Sequence, residues 1–163
     1  MWGPILAWLR KQVGQRTDTA SVTGSVHAKL AYLLFGSIYA SDTVQITADT
    51  ERGVTTEPSG TYEHVKTIIV TMPGTIRTVF DMKNVGTLSG SAYGKIYKND
   101  SPVGTARTTD SSTYQTYTED LAVAAGDRIQ LYAYNNNTLH TTYVRNFRVC
   151  GELVSGIGIA TLD

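Results

Sequence analysis

The sequence predicts a mainly β protein: an antiparallel β-sandwich or jelly roll preceded by short amino-terminal helices. Three observations point there. From Thr43 onward the apolar residues recur with period two, the spacing that sends alternate side chains to opposite faces of a strand. Turn residues interrupt this pattern roughly every 8–12 residues, as in sandwiches, and no strand–helix alternation supports a doubly wound or barrel enzyme. The composition agrees. The 163 residues include 24 Thr and 10 Tyr, while charged residues make up 17%, against about 25% in an average soluble domain. β-Branched and aromatic side chains suit a pleated surface, and the aliphatic content is enough for a core.

The first eleven residues, Met1 to Lys11, hold an apolar run from Trp2 to Leu9 followed by Arg10 and Lys11. A secretory signal carries its charge before the apolar run, and a bilayer span needs about 20 apolar residues, so the segment makes a poor signal and is too short to span. It is expected to dock as a short amphipathic helix on its own domain or a sister subunit, with membrane-surface insertion the lesser alternative. Pro4 suits a first helical turn, with Ile5, Trp8 and Leu9 on one face. Residues 14–24 (GQRTDTASVTG) read as a polar linker. A second short helix follows, capped by Thr23 or Ser25, with Val26, Leu30, Leu33 and Leu34 along one stripe and Gly36 at its end. Two or three turns are marginal alone, so this stripe requires a partner, either the β-domain or the same helix of sister subunits. The expected organisation is a helical attachment segment and linker over 1–41 and a β-sandwich domain over 42–163.

Candidate strands are Thr43–Ala48, Tyr62–Met72, Thr75–Met82, Ala92–Lys98, Pro102–Arg107, Thr113–Leu121, Asp127–Tyr134 and Thr142–Cys150. Pro73-Gly74, Asn99-Asp100-Ser101, Ala125-Gly126-Asp127 and Asn135-Asn136-Asn137 supply turns between them. Alternation assigns faces. Ile129, Leu131 and Ala133 point one way, while Arg128, Gln130, Tyr132 and Tyr134 point the other. Ala92 and Ile96 fall opposite Tyr93, Lys95 and Tyr97. In the last strand Tyr143, Phe147 and Val149 are expected in the core, with Arg145 paired to a carboxylate or placed at an edge or interface.

Little in the sequence suggests catalysis. His27, His64 and His140 are scattered, the last in a predicted loop, and no two are spaced as a helical metal pair. Glu63 and His64 diverge as neighbours in a strand. Gly86-Thr-Leu-Ser-Gly lacks a central nucleophile, and Gly90-Ser-Ala-Tyr-Gly lacks the lysine and helix of a phosphate loop. Glu119-Asp120 reads as an ordinary solvated turn rather than a glycosidase pair, whose carboxylates must face each other. Cys150 is the one cysteine, in a strand pattern, and reads as a small buried hydrophobe. Fourteen Lys and Arg balance fourteen Asp and Glu, so the basic surplus of a nucleic-acid binder is missing. No enzyme activity, cofactor, metal, nucleic-acid or membrane partner is expected.

The tyrosines are the candidate binding residues. Tyr93, Tyr97, Tyr132 and Tyr134 occupy the non-core phase of two strands, with Lys95, Gln130 and Asn136 nearby. If the two strands lie close together, these rings make a flat surface that is a second packed face, a subunit interface or a platform for sugars and polymers, since rings stack on apolar sugar faces.

The stretch from Gly94 through Thr109 (GKIYKNDSPVGTARTT), then Tyr114-Gln-Thr-Tyr-Thr-Glu-Asp-Leu, Ala124-Ala-Gly-Asp-Arg-Ile-Gln-Leu-Tyr-Ala-Tyr and Tyr143-Val-Arg-Asn-Phe-Arg-Val-Cys-Gly, resembles segments of bacteriophage virion proteins. Similar segments close small β-sandwich domains in tail, fibre and head-associated proteins. Gly24-Ser-Val-His-Ala-Lys-Leu-Ala-Tyr-Leu-Leu resembles the short helix that precedes such domains. The resemblance spans about Ser21 to Gly151. It implies a non-enzymatic virion component, commonly a homotrimer. A tail-tip or fibre protein touching host cell-surface polysaccharide is the first expectation, and a capsid decoration or head fibre the second. A carbohydrate-binding module is the expectation of another class. Trp2 and Trp8, with Val26, Leu30 and Leu33, are the candidates for attachment to other virion proteins and for self-assembly.

Overall fold

The structure is a computed structural model that describes residues 36–55, 60–87 and 89–154. The helices expected over 1–35, and with them Trp2, Trp8, Val26, Leu30 and Leu33, lie outside the described residues. Among those described, ten strands form two five-stranded sheets. They are β1 (Ser37–Ala48), β2 (Arg52–Val54), β3 (Glu63–Ile69), β4 (Gly74–Gly86), β5 (Ala92–Lys98), β6 (Ser101–Pro102), β7 (Arg107–Thr109), β8 (Gln115–Val123), β9 (Arg128–Asn135) and β10 (His140–Val154). One sheet runs β2-β10-β1-β4-β8, with β10 also paired to β4. The other runs β3-β9-β5-β6, with β7 beside β6 on β5. β4 pairs antiparallel with β8 and β10, β10 with β2, β9 with β3 and β5, and β5 with β6 and β7, while β1 meets β4 in parallel at Ile38 and Gly74.

The mainly β, two-sheet expectation holds, and the element bounds differ in ways with physical causes. Strand pairing begins at Ser37, earlier than Thr43, because the parallel contact with Gly74 recruits residues that lack period-two patterning. The expected strand Pro102–Arg107 is two short pieces, since residues 103–106 turn about Gly104. There Val103 and Gly104 both donate to the Ile96 carbonyl, and Glu119 accepts from the Thr105 N–H. Arg52–Val54, too short to show a period, pairs with β10.

One core fills the space between the sheets. Ile76, Phe80, Met82, Val144 and Phe147 enter it from one side, and Ile68, Ala92, Ile96, Ile129, Leu131 and Ala133 from the other. Gly94 shows how closely the layers approach: a Cβ there would sit 2.9 Å from the Phe80 ring and 3.1 Å from Met82 Sδ. The predicted faces of β5 and β9 are confirmed, and Cys150 is buried, which pushes its thiol pKa up.

The last strand corrects the sequence reading. Val144, not Tyr143, is fully buried, while Phe147 and Val149 are inside as expected. A bulge between Arg145 and Arg148, with Asn146 at φ 50°, inserts one residue and shifts the alternation by one. Tyr143 and Arg145 thereby share the outer phase. Arg145 takes the first of its two expected solutions, with its Nε 3.6 Å from Asp81 Oδ2 and its guanidinium over the Tyr114 ring. Glu119 and Asp120 are not a solvated turn. Both are β8 residues with structural partners, Glu119 on Thr105 and Asp120 on Arg77 Nε at 2.8 Å.

Two turns are tied together by Asp127. Its carboxylate accepts from the Ala124 N–H and from Asn99 Nδ2, and Lys98 Nζ lies 3.8 Å away. The Ala124 N–H, then Asn99 and Lys98, hold this carboxyl below its usual pKa against the opposing effect of burial. A depressed folded-state pKa adds stability above the unfolded value near 4, and that stability is lost as pH falls through the lower folded value. Asp127→Ala is expected to cost about 1–2 kcal/mol at neutral pH. It should also flatten the loss of stability below about pH 4, read from urea unfolding across pH. An equally steep acid limb in the variant would refute the assignment.

Candidate functional site

Strands β5 and β9 run antiparallel in a register that sets Tyr93 opposite Tyr134, Lys95 opposite Tyr132 and Tyr97 opposite Gln130. Their inward residues anchor both strands in the core, so the outward set is held on a rigid floor. Directly paired residues lie about 5 Å apart and diagonal ones about 7–8 Å, within reach of a tyrosine ring. Tyr93 and Tyr134 stack with centroids 4.4 Å apart and planes 6° from parallel. Tyr97 and Tyr132 stack at 4.1 Å and 25°. All four predicted tyrosines are therefore brought together on one face.

Two members were not legible in the sequence. Tyr62 stands edge-on to Tyr134 at 4.7 Å and lies 6.2 Å from Tyr97, while His64 sits edge-on to Tyr132 at 5.3 Å. Strict alternation through Tyr62, His64, Lys66, Ile68 and Val70 places all five on one side, and Ile68 and Val70 are core residues. A bulge in β3 between His64 and Lys66 reverses the phase, turning Tyr62 and His64 outward. The inward Lys66 is mostly buried and spends its ammonium on the Ala48 carbonyl at 2.8 Å.

The rings take up one another's faces. In each stacked pair one face of each ring lies against its partner, and Tyr62 adds an edge-on contact with Tyr134. Burial, then the neighbouring Tyr134, Tyr97 and Tyr93, pushes the Tyr62 hydroxyl pKa up to about 12, and burial raises that of Tyr134. These hydroxyls stay protonated at neutral pH and can donate as well as accept. At one end of the row Asp100 joins Gln130 and Arg128: Gln130 Nε2 donates to Asp100 Oδ1 at 2.8 Å, and Arg128 Nη2 to Oδ2 at 2.5 Å. At the other end Asn136 Oδ1 accepts from the Ser91 N–H at 2.7 Å, so this predicted contact residue also clamps the start of β5.

A second concavity lies where the β4–β5, β7–β8 and β9–β10 connections meet. This pocket of about 390 Å³ is lined by Asn84, Gly86, Ser89, Gly90, Ser91, Asp110, Ser112 and His140. His140, expected in a loop, begins β10 and is 2% exposed. Among the described residues no group of three or more His, Cys, Asp or Glu is placed to hold a metal, and no helix is long and apolar enough to cross a membrane.

No family model matches the chain, and no curated protein does. Among solved structures, it is distantly similar to the CBM22-1 xylan-binding domain of Paenibacillus barcinonensis Xyn10C. That match has 9% identity and a TM-score of 0.39, over 72% of this chain and 96% of that one. The CBM22-1-CBM22-2 tandem domain of the same protein gives 8% identity and a TM-score of 0.42, over 79% of this chain and 48% of the tandem. Likeness at this level carries no statement about ligands, which must come from this chain's own residues.

Proposed function

We propose that the chain is a non-enzymatic bacteriophage virion protein, a tail-tip or fibre component whose sandwich contacts a host cell-surface polymer through its tyrosine face. The observation that carries the contact role is the outward array of Tyr62, Tyr93, Tyr97, Tyr132 and Tyr134 with His64 on one rigid sheet. Tyrosine offers a large amphipathic contact with only two side-chain torsions to fix, and stacking fixes them before binding. The virion placement is supported by the sequence segments that resemble phage tail and fibre proteins. Attachment through helices over 1–35, with Trp2 and Trp8 docked on other virion proteins, belongs to the same proposal. So does a homotrimer built on Val26, Leu30 and Leu33.

Immunolabelling of intact particles with an antibody to the sandwich tests placement. Label at the tail tip is the expected result, label over the capsid would transfer the proposal to head decoration, and unlabelled particles would overturn both. For the contact role, Tyr93→Ala/Tyr134→Ala should weaken binding of the purified protein to host envelopes by about tenfold or more, since buried aromatic anchors cost about 2 kcal/mol or more when truncated. Undiminished binding would remove the tyrosine face from the proposal. Leu30→Asp should shift the sedimenting species from trimer to monomer; a parent protein that sediments as a monomer ends the trimer idea.

A further inference from the structure

We propose that the pocket at the β4–β5, β7–β8 and β9–β10 end of the sandwich is a binding site for one neutral sugar ring, free or at the end of a glycan. It is a separate site from the tyrosine face and stands without it. Its size falls at the small end of the roughly 300–1,000 Å³ of ligand pockets. The 390 Å³ suits one or two sugar rings rather than a long polymer laid across it.

The lining decides the ligand class. It presents three serine hydroxyls and one carboxylate, with two glycines baring backbone between them, above a floor of Asn84 and His140. Among the described residues no Lys or Arg lines it, and Asp110 contributes negative charge, so phosphate, sulfate and acidic sugars are disfavoured. Asp110 and His140 are the lining groups of metal-ligating type, too few for a cation cage. What remains complementary is a compact molecule covered with hydroxyls that donate to the carboxylate and accept from hydroxyl and amide hydrogens.

The floor is preorganised. Asn84, 4% exposed, donates through Nδ2 to the Gly90 carbonyl at 2.7 Å. Its Oδ1 accepts from Asn135 Nδ2 at 2.8 Å and stands 3.2 Å from His140 Nδ1. Because that oxygen only accepts, Nδ1 carries the proton. The His140 ring packs against two glycines: a Cβ at Gly86 would fall 2.2 Å from its Cγ, and one at Gly90 3.1 Å from it. Around the rim, Asn84 N–H donates to the Ser111 carbonyl, Asn137 Nδ2 to the Ser89 carbonyl, and Ser91 N–H to Asn136. Three separate connections are thus pinned to one buried polar floor, and fixed donors and acceptors lower the ordering cost of binding.

The experiment is amide NMR titration of the full chain with D-glucose, D-galactose and N-acetyl-D-glucosamine, each with its methyl glycoside. At least one sugar should give saturable shifts centred on Ser89–Ser91 and Asp110–Ser112, with a dissociation constant on the order of millimolar. Methyl glycosides binding as the parent sugars do identify a glycan end; loss of binding on methylation identifies the free sugar. Ser112→Trp, on the exposed rim, should fill the pocket and abolish the shifts. Asp110→Ala should weaken them about tenfold, and Tyr93→Ala/Tyr134→Ala should leave them intact. The proposal is overturned if no sugar shifts these amides, if shifts persist in a folded Ser112→Trp protein, or if inorganic phosphate or calcium alone reproduces them.

Discussion

Asp81→Ala is expected to destabilise the sandwich by about 3 kcal/mol, the low end of the cost of breaking a buried ion pair by removing one partner. The Asp81 side chain is 9% exposed on the outer side of β4, where two arginines converge on it. Arg145 Nε lies 3.6 Å from Oδ2 and Arg148 Nη2 4.0 Å from Oδ1, and both Nε atoms are buried without a hydrogen-bond partner among the described residues. Thr116 Oγ1 at 2.9 Å and Asn146 Nδ2 at 2.7 Å complete the carboxylate's shell. Removing Asp81 therefore strands two positive charges and two donors at the bulge that sets the register of β10. The arginine side chains are 42% and 31% exposed, so water recovers part of the loss, which is why the lower figure applies. Asp81→Asn keeps an acceptor for Thr116 but no charge, and should fall between parent and alanine variant. Urea unfolding midpoints at neutral pH check the order. An alanine variant within about 0.5 kcal/mol of the parent would mean that the arginines are already solvated in the native state.

How much was legible in the sequence depends on whether a strand keeps its period. Ala92–Lys98 and Arg128–Asn135 alternate without interruption, so their cores and their outward tyrosines followed from residue order, whereas their adjacency came only with the pairing of the two strands. The bulges in β3 and β10 are different. Each adds one residue whose presence depends on the partner strand, and nothing in Glu63-His64-Val65-Lys66 or Arg145-Asn146-Phe147 marks the phase change locally. That cost the sequence reading Tyr62, His64 and the true orientation of Tyr143. Asn146 is the nearest thing to a signal, because asparagine tolerates positive φ better than most residues. The pocket was hidden for another reason. Asn84, Asp110 and His140 are far apart in the chain, and each alone is an ordinary polar residue until three connections bring them together. The β1 boundary fell where no period existed to read, since its first residues are ordered by a neighbour in parallel.

Gly74→Ala is expected to be more costly than a glycine substitution at an open turn, because geometry and packing both oppose it. Gly74 has φ +144°, a region side chains rarely enter, and a Cβ there would lie 1.9 Å from the Ile38 carbonyl oxygen and 2.9 Å from its nitrogen. Those are backbone atoms, fixed by the parallel pairing of Ile38 with Gly74 and by the Ile38 N–H donating to the Pro73 carbonyl at 3.0 Å. No rotamer change relieves the overlap, so the start of β1 must leave β4. The strain alone is worth about 1–3 kcal/mol, and losing the contact adds the burial of Ile38 in the core, for a total of about 3 kcal/mol or more. Gly126 supplies the control. It has φ +92°, and a Cβ added there would meet nothing within 4 Å, so Gly126→Ala should carry the conformational cost without the clash. In urea unfolding the first variant should lose at least twice what the second does, and amide exchange should rise at Ile38 and its neighbours only in the first. Equal losses would place the whole effect in backbone conformation and leave the β1 contact without a role in stability.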